Sequence, residues 1–344
     1  VSTGQLSSDI QSQIARAAEL LAAGDVVGMP TETVYGLAAR IDSEEALKKV
    51  FAIKERPFFD PLIVHVNSVE AAKKYSKGWN VCCQALAEKF WPGPLTLVLP
   101  KTSEISDLIT SGLPSVGLRW PKHTVAQALL HATGVPLAAP SANKFGRTSP
   151  TTADHVRKEF GASLFVIDAS ASDIGIESSV VGIKQKGSGY ELSMLRKGAV
   201  LQSEIDQLLN EKNISHQWVE ATSKSEAPGR MKHHYMPAVP LVICKNARLT
   251  MAEISQKLKE RLASMPDEIE GVKIIKPKSD LTKILILNLS SKPEQAAREL
   301  YAQLRSVSER KPDAMCFIQS SAHTGEMWES ILDRLYKAAS LILD

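Results

Sequence analysis

Gly28-Met-Pro-Thr-Glu-Thr-Val-Tyr-Gly-Leu-Ala-Ala39 is the stretch on which the reading of the first half of the chain turns. Val26, Val27 and Met29 are apolar and suit a strand, and Pro30 removes a backbone donor just where the polar Thr31, Glu32 and Thr33 arrive. A strand therefore delivers hydroxyls to an edge. The small residues around Tyr35, from Gly36 to Ala39, permit close approach of another backbone or of a ligand. Taken alone, the stretch predicts a strand–turn–helix corner.

Working outward, Ser43 to Lys54 predicts a helix whose early Glu44 and Glu45 and later lysines suit the macrodipole. Lys54 and Arg56 leave from its C-terminal end, and Pro57 predicts an extended exit that projects the Arg56 guanidinium away from the helix. Further basic or hydroxyl-bearing segments close later apolar runs: Gly117-Leu-Arg-Trp120, Ala139-Pro-Ser-Ala-Asn143, Glu177-Ser-Ser179 and Leu195-Arg-Lys-Gly198. Together they describe one anion-collecting cleft. Arg119 is flanked by apolar residues, an expensive place for a guanidinium unless an anion or a carboxylate meets it, a structural salt bridge being the competing reading. Ser141 and Asn143 fall at a strand end, the usual ligand position in α/β sheets, with Arg147 and Ser149 close behind. His65, in the strand 60–66, reads as a hydrogen-bonded core histidine.

The 344 residues exceed the size at which single cores stop growing, which predicts two domains. Helices are expected over 9–23, 69–76, 82–90 and 124–133, with strands at 95–99, 116–120, 135–139, 163–168, 177–183 and 192–196. Residues 213–226 lose apolar periodicity, so the expected division is a catalytic domain over 1–210, a linker over 211–238 and a second domain over 239–344. In the last, alternating strands and helices predict a small parallel α/β, Rossmann-like domain whose final helix runs over 327–342.

Hydrophobic content of 44% and charged content of 23% are ordinary for a globular protein, and no apolar stretch reaches membrane-spanning length. The first five residues, Val1 to Gln5, resemble no export signal, and the four cysteines form no CxxC pattern, so a cytoplasmic location is expected. The same pattern, with His233 and His234 unsupported by nearby carboxylates, points to no protein-held metal. A formal charge of +3 is too small to imply nucleic-acid binding by the whole chain.

Pro30-Thr-Glu-Thr-Val-Tyr-Gly-Leu37, Lys54-Glu-Arg-Pro57, Pro61-Leu-Ile-Val-His65, Trp91-Pro-Gly-Pro94, Pro140-Ser-Ala-Asn143 and Glu177-Ser-Ser179 resemble the YrdC-like fold, a twisted open mixed sheet with helices. Ala227-Pro-Gly229, His234-Tyr235, Pro237 and the C-terminal domain resemble the two-domain Sua5 branch. The resemblance implies a threonylcarbamoyl-AMP synthase, a nucleotidyltransferase that joins L-threonine, bicarbonate and ATP for t6A37 modification of tRNA. It implies magnesium on the nucleotide, a downstream tRNA threonylcarbamoyl transferase, and tRNA itself as a contact to be tested. By the same resemblance Lys54 and Arg56 are catalytic, Thr33, His65, Arg119 and Ser179 hold threonine, and Tyr235 is a lid residue. Lys54, Arg56, Thr110, Ser141, Asn143, Ser149 and Arg196 match ATP contacts. Two departures stand out: Phe58-Phe59-Asp60, where the family often ends a polar stretch in Asn, and Arg230-Met-Lys-His233. The competing readings are an RNA-binding protein whose arginines grip a phosphate backbone, and a carbamoyl-adenylate enzyme of the hydrogenase-maturation type.

Overall fold

The computed structural model describes residues 6–220, 234–245, 249–264, 266–269, 272–274, 276 and 283–344. The chain forms two compact units, Val1–Lys144 with Pro150–Arg230, and Phe145–Ser149 with Met231–Asp344. Ala227-Pro-Gly229 and Arg230-Met-Lys-His233 lie outside the described residues.

The first unit runs α1 (Ser8–Ala22), β1 (Val27–Met29), β2 (Gly36–Arg40), α2 (Glu44–Lys54), β3 (Ile63–His65), α3 (Val69–Tyr75), α4 (Val81–Phe90), β4 (Leu95–Pro100), α5 (Asp107–Thr110) and β5 (Ser115–Arg119). It continues through α6 (Thr124–Thr133), β6 (Leu137–Ala138), α7 (Ala153–Phe160), β7 (Phe165–Val166), β8 (Ser179–Lys186), β9 (Gly189–Arg196), α8 (Gln202–Glu211) and β10 (His216–Trp218). Ser7, Ser43, Ser68, Asn80 and Thr152 start their helices by accepting a backbone N–H of the first turn. Gly134 ends α6 in the left-handed region, where a side chain would be strained.

The 28–39 stretch forms strand, turn and strand, which corrects the expected strand–turn–helix corner. Thr31 Oγ1 closes the turn by donating to Val34 O at 2.6 Å while accepting the N–H groups of Thr33 and Val34. The chain then returns antiparallel, Val27 opposite Ala38 and Met29 opposite Gly36. A Cβ on Gly36 would stand 3.1 Å from that of Ala139, so the small residues serve close packing between strands.

The described strands of this unit form one mixed sheet in the order β10-β9-β8-β4-β5-β3-β6-β2-β1-β7. Leu95, Leu97, Val116, Leu118, Val64, Val66 and Val181 point to one face, where residues of α2, α3, α4 and α8 complete the main core. Helices α1 and α6 pack on the other face beside β1, β2 and β6. The region expected to open a linker contains β10, paired parallel to β9, so the sheet extends beyond residue 210.

The second unit runs β11 (Leu241–Cys244), α9 (Met251–Ala263), β12 (Glu268–Ile269), β13 (Val272–Lys273), β14 (Ile284–Ile286), α10 (Pro293–Glu309), β15 (Ala314–Ile318), α11 (Glu326–Ala338) and β16 (Leu341–Leu343). Its parallel sheet has the order β14-β15-β11-β16, matching the expected parallel α/β domain. The final helix stops at Ala338, and Leu341, Ile342 and Leu343 instead pair with β11, because an edge place in the sheet gives their backbone groups ladder partners.

A Cβ at Gly28 would stand 2.9 Å from Val166 Cγ1 on the adjoining β7. Gly28→Ala is therefore expected to cost about 1–3 kcal/mol of stability in urea denaturation, and adding Val166→Ala should recover most of it.

Candidate active site

Strand alternation assembles the site. On the face of the sheet opposite the main core, Ile63, Val98, Val180 and Leu195 form a small apolar floor. His65 and Arg119 lie on this face directly opposite one another in the β3–β5 register. A register shift at Val180/Val181 places Arg196 opposite Val180. A cavity of about 520 Å³ lies farther along the same strands, beside Val98, Ser115, Gly182 and Leu195, and no candidate site residue lines it.

One cluster collects cations. Lys54 is buried, its Nζ donating to Ser141 O at 2.5 Å and to Asn143 O. Burial pushes its ammonium well below the usual lysine range, Arg56 adding to the effect while Asp60 and Glu159 oppose it. Arg56 is also buried and folds back instead of projecting outward, which corrects the expected geometry. Its Nε donates to Asp60 O at 3.1 Å and its Nη2 to Pro61 O at 2.9 Å. Asp60 Oδ2 stands 2.8 Å from Arg56 Nη2 at an angle that leaves the oxygen without a hydrogen-bond donor among the described residues. Burial raises the Asp60 carboxyl, while Arg56, Lys54 and Arg196 draw it down, so the carboxylate sits among three cations. Arg196 donates to Ser178 O at 3.0 Å and to Ser178 Oγ at 3.1 Å, and that hydroxyl meets Thr96 Oγ1 at 2.8 Å.

A second cluster holds Thr33, Glu32, His65 and Arg119. Thr33 Oγ1 meets Thr31 Oγ1 at 2.9 Å. Arg119 is met by Glu32 at 2.8 Å, so the carboxylate partner considered from sequence is internal to the chain. Burial, with Arg119 nearby, pushes His65 down to about 3, and its Nδ1 has no hydrogen-bond partner among the described residues. The imidazole is accordingly neutral at ordinary pH, able to accept or donate one hydrogen bond at each nitrogen.

The remaining candidates are placed differently. Thr110 is buried on α5 and takes a hydrogen bond from Lys101 Nζ at 3.1 Å. The Ser179 hydroxyl donates to Val200 O at 2.6 Å and accepts Val200 N at 3.0 Å, so it is engaged with backbone. Ser149 and Tyr235 belong to the second unit. There the Tyr235 ring stacks on Tyr301 at 5.7 Å, and its backbone adopts φ of 64°, strained for a tyrosine. Glu32, Ser178 and Asp60 were not chosen from sequence as site residues, although Glu32 and Ser178 adjoin Thr33 and Ser179 in the chain and Asp60 pairs with Arg56.

Residues 19–198 match the family described as Telomere recombination, the Sua5, YciO and YrdC group, and residues 200–340 match the C-terminal domain of threonylcarbamoyl-AMP synthase. Relatives named threonylcarbamoyl-AMP synthase from Pyrococcus abyssi and Bacillus subtilis are each 34% identical to the chain. The first alignment covers 94% of this chain and 93% of the relative, the second 98% and 95%. Sua5 of P. abyssi complexed with L-threonine superposes with a TM-score of 0.76 at 29% identity, covering 96% of each chain. A variant structure of P. abyssi Sua5 gives 0.78 at 29% identity, covering 96% of this chain and 94% of the other. A YrdC-type mixed-sheet unit bearing a buried cation cluster, followed by a parallel α/β unit, defines the class of protein. The chain belongs to the Sua5 family.

His65 titrates near 6.5 in an unfolded chain and about 3 when folded, so its contribution to stability is complete above 6.5 and is lost as pH falls toward 3. Compared with His65→Asn, the wild type should lose up to about 1.4 kcal/mol more per pH unit across that window, measured by urea unfolding.

Proposed function

We propose that the chain is an L-threonylcarbamoyladenylate synthase, which joins L-threonine, bicarbonate and ATP into threonylcarbamoyl-AMP with release of pyrophosphate. The observation that carries this reading is the match of both halves of the chain, over nearly its full length, to relatives of that name. The chemistry of the clusters agrees with it. ATP, bicarbonate and the threonine carboxylate are anions, and Lys54, Arg56, Arg119 and Arg196 supply the cations.

The threonine amine forms a bond to the carbon of bicarbonate, or of carbon dioxide derived from it, and the elements of water leave. An oxygen of the resulting carbamate attacks the α-phosphorus, and the bond to the bridging oxygen breaks so that pyrophosphate departs in line. No covalent enzyme intermediate is needed, so the protein acts by positioning and charge neutralisation. Lys54, Arg56 and Arg196 would offset phosphate charge, with Thr110, Ser141 and Asn143 as further nucleotide contacts. Thr33, His65, Arg119 and Ser179 would hold threonine, the engaged Ser179 hydroxyl through the Val200 backbone it orders. Ser149 and Tyr235 are proposed participants on the resemblance alone.

Magnesium would travel with the triphosphate as part of the substrate. Asp60, the carboxylate among the cations, is already paired with Arg56, and no group of three or more acidic, histidine or cysteine side chains among the described residues is arranged to hold a metal. Downstream, a tRNA threonylcarbamoyl transferase would consume the adenylate for the t6A base. A cytoplasmic setting suits that role, and no described helix is long and apolar enough to cross a membrane.

The RNA-binding alternative loses its basis in the burial pattern. Of the five cations that reading would use, Lys54, Arg56, Arg119 and Arg196 are each at most 7% exposed and Arg147 is half-buried, so they form no exposed stripe for a phosphate backbone. The match of residues 200–340 likewise removes the hydrogenase-maturation reading, which concerned the first domain alone.

Incubation with ATP, bicarbonate and magnesium is expected to release pyrophosphate only when L-threonine is present, with the adenylate detected by mass spectrometry. Arg56→Ala should lower kcat/KM by about 10²–10³-fold. Salt-sensitive tRNA binding without threonine-dependent pyrophosphate would restore the RNA-binding reading.

A further inference from the structure

We infer that Glu32 recognises the α-ammonium of the amino-acid substrate while Arg119, its ion-pair partner, takes the α-carboxylate. The inference rests on the synthase reading and extends it to a residue outside the set assigned above.

The first observation is an ion pair that is incompletely used. Glu32 and Arg119 side chains are 6% and 5% exposed, and Oε1 stands 2.8 Å from Nη2. The approach is off the hydrogen-bond axis, so Glu32 Oε1, Glu32 Oε2 and Arg119 Nη2 have no hydrogen-bond partner among the described residues. Buried charged groups are normally saturated with hydrogen bonds, because each missing one costs the desolvation of its atom. The same chain builds a full fork elsewhere: Arg40 Nε and Nη2 meet Asp42 Oδ1 and Oδ2 at 2.9 and 2.7 Å on an exposed turn. A purely structural pair would gain from that geometry, and the buried pair lacks it.

The second observation is that both partners are held from behind. Glu32 O accepts Ile174 N at 2.8 Å, Thr31 O accepts the Ser172 hydroxyl at 3.0 Å, and Thr31 Oγ1 closes the turn. Arg119 Nε donates to Gly93 O at 3.3 Å, and its own backbone O accepts Val66 N at 2.9 Å. Unused acceptors and an unused donor thus sit on a fixed frame, the arrangement expected of a preorganised ligand site.

The third observation concerns the ligand chemistry. An α-amino acid carries an ammonium and a carboxylate on one carbon, the complement of a carboxylate beside a guanidinium. His65, opposite Arg119 in the sheet, is neutral and offers no rival cation to the carboxylate. His123 is also shifted down by burial, against the pull of Glu32 and Asp173, so it does not occupy Glu32 as a cation at neutral pH.

The test measures binding by calorimetry of L-threonine, 3-hydroxybutyrate (which lacks the amine) and L-threoninamide (which lacks the carboxylate). Wild type should prefer threonine over 3-hydroxybutyrate by at least about tenfold, and Glu32→Gln should reduce that preference to within about twofold while leaving the preference over threoninamide within about threefold of wild type. Should Glu32→Gln fail to fold, Glu32→Asp serves, with the amine preference expected to fall at least about threefold because the shorter side chain retracts the charge. The inference is overturned if wild type shows no amine preference, if either folded variant keeps it unchanged, or if Glu32→Gln loses the carboxylate preference instead, which would make Glu32 only a support for Arg119. Wild type that neither binds threonine nor releases threonine-dependent pyrophosphate sinks the synthase reading. Wild type that does both, beside a variant with an intact amine preference, sinks this inference alone.

Discussion

Lys54 is the point of greatest physical demand in the first unit, because an ammonium taken out of water must find replacements for its hydration shell. Desolvating such an ion costs several kcal/mol even in a relaxed protein interior. The chain meets the demand with the carbonyl oxygens of Ser141 and Asn143, which ties the C-terminal end of α2 to the loop that follows β6. Glu55 helps by turning into the left-handed region as the helix C-cap, its N–H accepted by the last-turn carbonyls. That turn directs Arg56 back toward the carbonyls of Asp60 and Pro61. One buried amine thereby sets the path of two loops and the direction of a guanidinium.

The two clusters divide the chemistry by charge. Around Lys54, Arg56 and Arg196, three cations surround the Asp60 carboxylate, with Glu159 also acting on Lys54, a charge balance that would favour a polyanion. Around Arg119, the Glu32 carboxylate matches the guanidinium, a balance that would suit a molecule bearing both signs. Strand pairing sets His65 and Arg119 beside Ile63 on β3 and Arg196 opposite Val180 on β8, so these polar groups adjoin the apolar floor of Ile63, Val98, Val180 and Leu195.

Much of this was legible in the sequence where local rules dominate. Helix caps at Ser43 and Gly134, the period of α6 and α9, and the hydroxyls and cations at strand ends follow from nearest neighbours along the chain. What was not legible depended on distant partners. Tyr35 and Gly36 follow a polar turn that a helix could equally well have continued, and only pairing with β1 and β6 makes Gly36–Arg40 a strand. Leu341–Leu343 carries on the apolar pattern of α11, yet β11 offers it a ladder. The direction of Arg56 could not be inferred from Pro57, because the carbonyls that attract it belong to the following loop. Glu32 was hidden by its setting among hydroxyls, and its partner Arg119 lies on β5, 87 residues further along.

Phe145–Ser149 belongs to the second unit although the sequence on both sides of it belongs to the first. Its partners are late in the chain: Met236 N donates to Gly146 O at 2.8 Å, Thr148 N donates to Met236 O at 3.2 Å, and Arg305 Nη2 donates to Thr148 O. The ribosome therefore makes this pentapeptide well before these partners. The first unit has to leave the five residues waiting while it completes itself, and the second cannot be finished from the C-terminal portion alone. Splitting the gene between the halves would strand a structural piece of one product inside the other, so the two units are bound to a single reading frame by their topology.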